Sequence, residues 1–228
     1  AADQSLDPEV IRPASSAFHP EGGIRLLEGN LGRGLIKTSA VAPERQSMTA
    51  PAVVISDQEE LKALFERGEL DRDCVIVARF QGPAANGMPE LHQLMPILGV
   101  LQDRGHAVAL VTDGRLSGAS GKVPAAIHVT PEAAKGGPIG RIQDGDVISL
   151  DVASGELVVS LDDQTLGDRP HPDTPTAKNT VGRGLFKFSR EVVTDAESGG
   201  CTLFEPLVIE DLPQAEFARN VAFEHCAS

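Results

Sequence analysis

Ala107-Val108-Ala109-Leu110-Val111-Thr112-Asp113-Gly114-Arg115-Leu116-Ser117-Gly118-Ala119-Ser120-Gly121-Lys122 joins an apolar run to a loop rich in glycine and charge. The run Ala107 to Val111 reads as a buried strand, and Thr112 to Lys122 as the turn at its carboxyl end. Ligands of α/β sheets sit at such strand ends. The loop carries an acid, two bases, hydroxyls and glycines that let the backbone turn tightly. Amides aimed inward by such a turn make a cavity suited to an anion.

Upstream, Cys74 to Phe80 is a second strand-like run, followed by the loop Gln81-Gly82-Pro83-Ala84-Ala85-Asn86-Gly87-Met88-Pro89-Glu90. A helical pattern then runs to about Arg104, with Pro89 in its first turn and Pro96 expected to kink or divide it. Strand, loop, helix and strand in this order make a βαβ unit, so the two strands should be parallel. Further out, Ile24 to Leu27, Leu35 to Val41 and Ala52 to Ile55 are strand candidates. Ser56-Asp57-Gln58-Glu59 reads as a capping box for a helix that buries Leu61, Leu64 and Phe65 and stops near Gly68. Beyond the opening loop, Ala125 to Val129 is a strand and Thr130-Pro131-Glu132 starts a short helix. Val147 to Val152 and Leu157 to Leu161 form a hairpin around Ala153-Ser154-Gly155. Residues 162–184 read as a long loop, with a last helical stretch within Leu185 to Thr194. The expected class is α/β, a mixed sheet or barrel with flanking helices. Residues 1–21 are assigned to an arm or linker and 22–228 to the domain.

A length of 228 residues supports a real core. With 4% aromatic residues and neither Trp nor Tyr, that core must rest on Val, Ile, Leu and Ala. The net charge of −13 argues against nonspecific nucleic-acid binding and anionic membranes. No apolar run approaches the length of a membrane span, and no signal-peptide pattern opens the chain. Cys74, Cys201 and Cys226 form no CxxC pair and no even-numbered framework, which favours a reduced, cytoplasmic protein.

Ser117 is the candidate base, because a serine hydroxyl is a poor base unless cations and N–H donors stabilise its alkoxide, and here those groups are adjacent in sequence. Arg115, Lys122 and the Gly118 backbone are the candidate substrate-binding groups. Glu90, the only carboxylate of its loop, is a candidate ligand for a hard cation such as Mg²⁺. Its alternative role is to oppose the dipole in the first turn of a helix. His92 and His128 lie nearest these loops but make no zinc spacing. The acids of 141–163 read as hairpin and turn surface.

Phe80-Gln81-Gly82-Pro83, Asn86-Gly87-Met88-Pro89-Glu90-Leu91, Thr112-Asp113-Gly114-Arg115-Leu116-Ser117-Gly118 and His128-Val129-Thr130-Pro131-Glu132-Ala133 together resemble the dihydroxy-acid/phosphogluconate dehydratase family. Gly29-Asn30-Leu31 and Ile36-Lys37-Thr38-Ser39-Ala40-Val41 match it too, so the resemblance spans most of residues 22–161 in order. Gly118-Ala119-Ser120-Gly121-Lys122-Val123-Pro124-Ala125-Ala126-Ile127-His128 looks like the phosphogluconate branch. The resemblance implies a β-rich swivelling β/β/α domain, the C-terminal portion of a longer hydro-lyase. It implies dehydration of 6-phospho-D-gluconate to 2-dehydro-3-deoxy-6-phosphogluconate in the Entner–Doudoroff pathway. The alternatives are a dehydratase for a dihydroxy acid or other sugar acid, or a non-catalytic anion-binding or assembly module. The family's iron–sulfur cluster is held by cysteines of its N-terminal portion, and none of the three cysteines here falls in a matching motif. The resemblance further implies Ser117 as base, Glu90 as a Mg²⁺ ligand, pairing with the protein's own N-terminal domain, and a homodimer at full length.

Overall fold

The computed structural model describes residues 5–19, 22–117, 121–175, 184 and 186–202. Eight strands among them close into one barrel: β1 (Ile24–Gly29), β2 (Gly32–Lys37), β3 (Ser47–Ile55), β4 (Cys74–Ala78), β5 (Val108–Thr112), β6 (Ala125–Thr130), β7 (Val147–Asp151) and β8 (Glu156–Val159). The order around the barrel is β1-β2-β6-β5-β4-β3-β7-β8. Strands β3, β4, β5 and β6 are parallel to their neighbours in that block, while the hairpins β1–β2 and β7–β8 are antiparallel. The mixed sheet and flanking helices match the expected α/β class, and the βαβ unit is parallel as expected, with Val77 opposite Val111.

Side-chain alternation explains why the barrel is solid. Val75 and Val77 of β4 point to one face, where they join Leu27, Ile36, Ala52, Ala109, Val111, Ile148, Leu150 and Leu157 in the barrel core. Cys74, Ile76 and Ala78 point to the other, against Leu61 of α1 (Gln58–Glu66) and Leu94, Leu98 and Leu101 of α3 (Leu94–Asp103). Strands β4 and β5 are therefore buried on both faces, and this is why they read as unbroken apolar runs. Asn30, at the β1–β2 turn, closes the barrel: its side chain donates to the Val159 and Leu161 carbonyls at 2.9 and 3.1 Å and accepts the Val159 N–H at 2.8 Å.

Several elements depart from expectation. The cap of α1 is shifted by one residue: Asp57, not Ser56, accepts the Glu59 N–H, and Glu60 reaches back to the Ser56 N–H. Helix α1 stops as foreseen, with Gly68 at φ +74° and the Glu69 N–H bonded to the Leu64 carbonyl. Strand β2 ends at Lys37 rather than Val41. The loop after β4 contains a one-turn helix, α2 (Pro83–Asn86), and α3 begins only at Leu94. Pro96 thus falls in the first turn of α3, where its missing N–H has no partner to lose, and no division results. Residues 162–184 contain a further helix, α4 (Asp163–Asp168), capped by Asp162. Asp146 is no solvated turn acid: it is largely buried and pairs bidentately with Arg169, with an Oδ1 contact of 2.9 Å. The last described helix is α5 (Lys187–Val192). No helix among the described residues is long and apolar enough to cross a membrane.

Candidate active site

The carboxyl ends of β4, β5 and β6 share one rim because the strands are parallel. Asp113, the first residue beyond β5, is fully buried and ties this rim together. Its Oδ1 accepts the Gln81 N–H at 2.8 Å; its Oδ2 accepts the Phe80 N–H at 3.2 Å and the Ala133 N–H at 2.9 Å. One carboxylate thereby fixes the segments that leave all three strands. Burial pushes its pKa up to about 6, with the nearby Glu132 adding to the rise and the Gln81, Ala133 and Phe80 amides opposing it. Glu132 is buried too, and its carboxylate accepts the Ala84 and Ala85 N–H groups of α2 at 3.0 and 3.1 Å.

Next along the loop, Gly114 leaves no room for a side chain, since a Cβ there would stand 2.7 Å from the Gln81 Cβ and 3.0 Å from the Leu91 Cδ1. Gly114→Ala is expected to lower the unfolding free energy by roughly 1–3 kcal/mol through overpacking. A urea titration reads this directly, and an unchanged midpoint contradicts the close approach.

This tight packing lets Arg115 run beside Glu90 as an isolated parallel bridge. Arg115 Nε donates to the Met88 carbonyl at 2.8 Å and Nη1 to Glu90 Oε2 at 3.0 Å. The other Glu90 oxygen, Oε1, accepts the Ser117 N–H at 2.9 Å. Three of the sequence-derived candidates, Glu90, Arg115 and Ser117, therefore meet. Glu90 lies outside any helix, so its suggested role against a helix dipole is withdrawn. Ser117 is exposed on the rim.

Lys122 is not brought into this group. Its ammonium lies 2.8 and 3.0 Å from the Asp103 carboxylate on α3, and its carbonyl accepts from Gln102. Gly118 lies outside the described residues, as does Cys226. His92 is exposed, whereas His128 is half-buried and its N–H donates to the Gly114 carbonyl at 2.9 Å. Burial, and then the positive charges of Lys37 and Arg115, push the His128 pKa below its ordinary value.

Phe80, Met88 and His128 have φ of +61°, +52° and +56°, the non-glycine residues in the left-handed region among those described. Each such position costs roughly 1 kcal/mol or more, and all three border this rim. Nothing in a single sequence marks them, because the strain is imposed by distant partners such as Asp113.

Metal and cluster chemistry fit these residues poorly when they are taken alone. Among the described residues no three His, Cys, Asp or Glu side chains gather as metal ligands. Glu90 offers one carboxylate, already shared between Arg115 and Ser117, whereas a hard cation takes about six oxygen ligands. Cys74 is buried with its thiol pushed up to about 11, chiefly by burial, and Cys201 stands apart from it near α5. Cys74 is therefore not poised as a thiolate ligand.

The chain is similar to several known proteins. It is 56% identical over 206 residues to a phosphogluconate dehydratase of Pseudomonas aeruginosa, covering 90% of this chain and 34% of that protein. A phosphogluconate dehydratase of Escherichia coli K12 is 53% identical over 206 residues, covering 89% and 34%. A dihydroxy-acid dehydratase of Anaeromyxobacter dehalogenans is 35% identical over 200 residues, covering 86% and 35%. The chain thus spans about a third of the length of the curated relatives it matches. The family model for the dihydroxy-acid/6-phosphogluconate dehydratase C-terminal region matches residues 9–200. On a match of that extent, the chain belongs to the dihydroxy-acid/6-phosphogluconate dehydratase C-terminal family.

Proposed function

We propose that this chain forms the base-bearing half of the active site of a hydro-lyase that converts 6-phospho-D-gluconate to 2-dehydro-3-deoxy-6-phosphogluconate, the dehydration of the Entner–Doudoroff pathway. The observation that carries this reading is the convergence of Ser117, Arg115 and Glu90 on one barrel rim. Identities of 50–56% to several phosphogluconate dehydratases, against 35% to a dihydroxy-acid dehydratase, favour the phosphorylated sugar acid as substrate.

The chemical difficulty is the C2 proton, which is weakly acidic because the neighbouring carboxylate is already negative. Ser117 Oγ, as alkoxide, takes that proton. The C2–H electron pair becomes the C2=C3 bond, the C3–O bond breaks with its pair on the departing hydroxide, and the proton taken by Ser117 passes to that hydroxide, giving water and restoring the alkoxide. The resulting enol tautomerises to the 2-keto product. Arg115 supports the alkoxide: it lies two residues away and is clamped by Glu90 and the Met88 carbonyl, so its charge is held in place before substrate arrives. The Lewis acid for the departing hydroxyl is assigned to an iron–sulfur cluster held by residues outside this chain. Glu90 is assigned to a Mg²⁺ site completed by oxygens from elsewhere in the protein. The reading also assigns the rim to contact with the protein's own N-terminal portion, and the full-length protein to a cytoplasmic homodimer.

An anaerobic dehydration assay on the full-length protein tests this. Turnover of 6-phosphogluconate in preference to unphosphorylated dihydroxy acids is expected. Preference for the dihydroxy acid overturns the substrate, and no turnover of either overturns the enzyme. This chain by itself is expected to purify without iron, and stoichiometric iron on it contradicts the division of labour.

A further inference from the structure

Lys37 closes β2, is half-buried, and has no ion pair among the described residues. Arg33, Arg67, Arg104, Arg115, Lys122 and Arg169 each find a carboxylate, whereas Lys37 lines a cavity with Ser117 instead. An ammonium without a counter-charge keeps its three N–H donors available to an arriving anion.

The surroundings show where the anion would sit. Ile36 stands opposite Ala126, so the end of β2 lies beside the start of β6. The loop from β5 folds back over this edge so closely that a Cβ at Gly121 would stand 2.3 Å from the Ala40 Cβ. Between loop and strand is a cavity of about 20 Å³ lined by Lys37, Ser117, Gly121 and the apolar Leu116, Val123, Ala125 and Ile127. That is room for about one water or one oxygen atom. Among the described lining residues, Lys37 and Ser117 are the charged or hydroxyl-bearing ones and none is a carboxylate, and their apolar neighbours leave an ammonium's field weakly screened. The pKa of the neighbouring His128 is lowered first by burial and then by the positive charges of Lys37 and Arg115.

We propose that Lys37 and Ser117 wall an anion seat that receives one carboxylate oxygen of the sugar-acid substrate, with Lys37 Nζ as its donor. The proposal rests on the dehydratase reading: the carbon that loses its proton to Ser117 is bonded to the carboxylate carbon, so base and carboxylate must occupy adjacent places. Charge that flows from C2 toward the carboxylate as the proton leaves is then met by the ammonium. The seat makes the carboxylate a requirement for productive binding, so a sugar phosphate without a carboxylate is excluded from turnover.

Two measurements on the full-length protein test the seat. Acetylation of Lys37 by acetic anhydride, followed by mass spectrometry with exposed Lys62 as the internal reference, reads occupancy without turnover. Gluconate and 6-phosphogluconate are expected to slow Lys37 acetylation several-fold, and glucose 6-phosphate is not. Protection by glucose 6-phosphate but not gluconate assigns the seat to phosphate and overturns the carboxylate assignment; no protection by any of the three overturns the seat. In the second measurement, Lys37→Met is expected to raise KM for 6-phosphogluconate about tenfold or more, the loss of one charge-assisted hydrogen bond. Lys37→Arg, which keeps the charge, is expected to recover part of that loss. Thermal unfolding of both variants separates a binding defect from a folding defect. A wild type without turnover overturns the dehydratase reading, whereas normal turnover with unchanged KM in Lys37→Met overturns the seat alone.

Discussion

Ser117→Ala in the full-length protein is expected to reduce dehydration of 6-phosphogluconate by roughly 10²–10⁴-fold, the usual worth of a positioned proton-transfer group. The substitution removes only the hydroxyl. Alanine keeps the contact from the Ser117 backbone N–H to Glu90 Oε1. The Arg115–Glu90 pair and the Arg115–Met88 contact are likewise untouched. Ser117 is exposed, and stability should change by no more than about 0.5 kcal/mol. Iron content, far-UV circular dichroism and a urea midpoint, all compared with the wild type, separate lost chemistry from lost structure. Near-normal turnover in Ser117→Ala moves the base to another group.

Asp113→Ala carries the largest expected cost in stability. Three backbone N–H groups, on Phe80, Gln81 and Ala133, would lose their acceptor inside a region from which water is excluded. Each orphaned buried donor costs about 1–3 kcal/mol, and with partial relaxation the total is roughly 3–5 kcal/mol. Asp113→Asn keeps the shape but not the chemistry, because one amide end must face an N–H that now has no acceptor. Activity should fall with stability in both variants, since Phe80 and Gln81 begin the segment that carries Glu90 to Arg115 and Ser117. A variant that unfolds at the wild-type urea midpoint would falsify this account of the rim.

The same residue shapes the pH dependence. Burial raises the Asp113 pKa to about 6 from the ordinary aspartate value of 3.8 that holds in the open chain. Between about pH 4 and pH 6 the folded protein holds a proton that the unfolded chain has released. The contribution of this group is therefore most favourable below about pH 4, declines as pH rises through 6, and is level above. The decline is on the order of 3 kcal/mol. Asp113→Asn has no such titration, so the stability difference between variant and wild type should change across this window. A difference that stays constant from about pH 4.5 to about pH 7.5 contradicts the raised pKa.

How much of this was legible in the chain differs by element. Strands β4 and β5 stand out as apolar runs because they are buried on both faces, and burial leaves a local mark in the residues themselves. The stop at Gly68 was legible for a similar reason, since a left-handed φ selects glycine. Helix α3 was misplaced at its start because Pro89 and Pro96 both satisfy a first turn, and only packing of Leu94, Leu98 and Leu101 on the sheet chooses between them. Lys122 looked like part of the site by adjacency. The loop's return to β6 instead delivers it to Asp103, a partner far away in sequence but near on the surface of α3.

By itself, the sequence determined the α/β class, the parallel βαβ unit, the two loops at its rim and the family to which the motifs point. Those properties are local: burial, turn chemistry and short motifs are written in consecutive residues. Tertiary structure alone decided that the barrel closes through Asn30 and β8, that Glu90 reaches Ser117, that Asp113 holds three strand ends, and that Lys37 faces Ser117 across a small cavity. Those are contacts between segments tens of residues apart. They depend on strand order and register, which hydrophobic pattern restricts but does not specify.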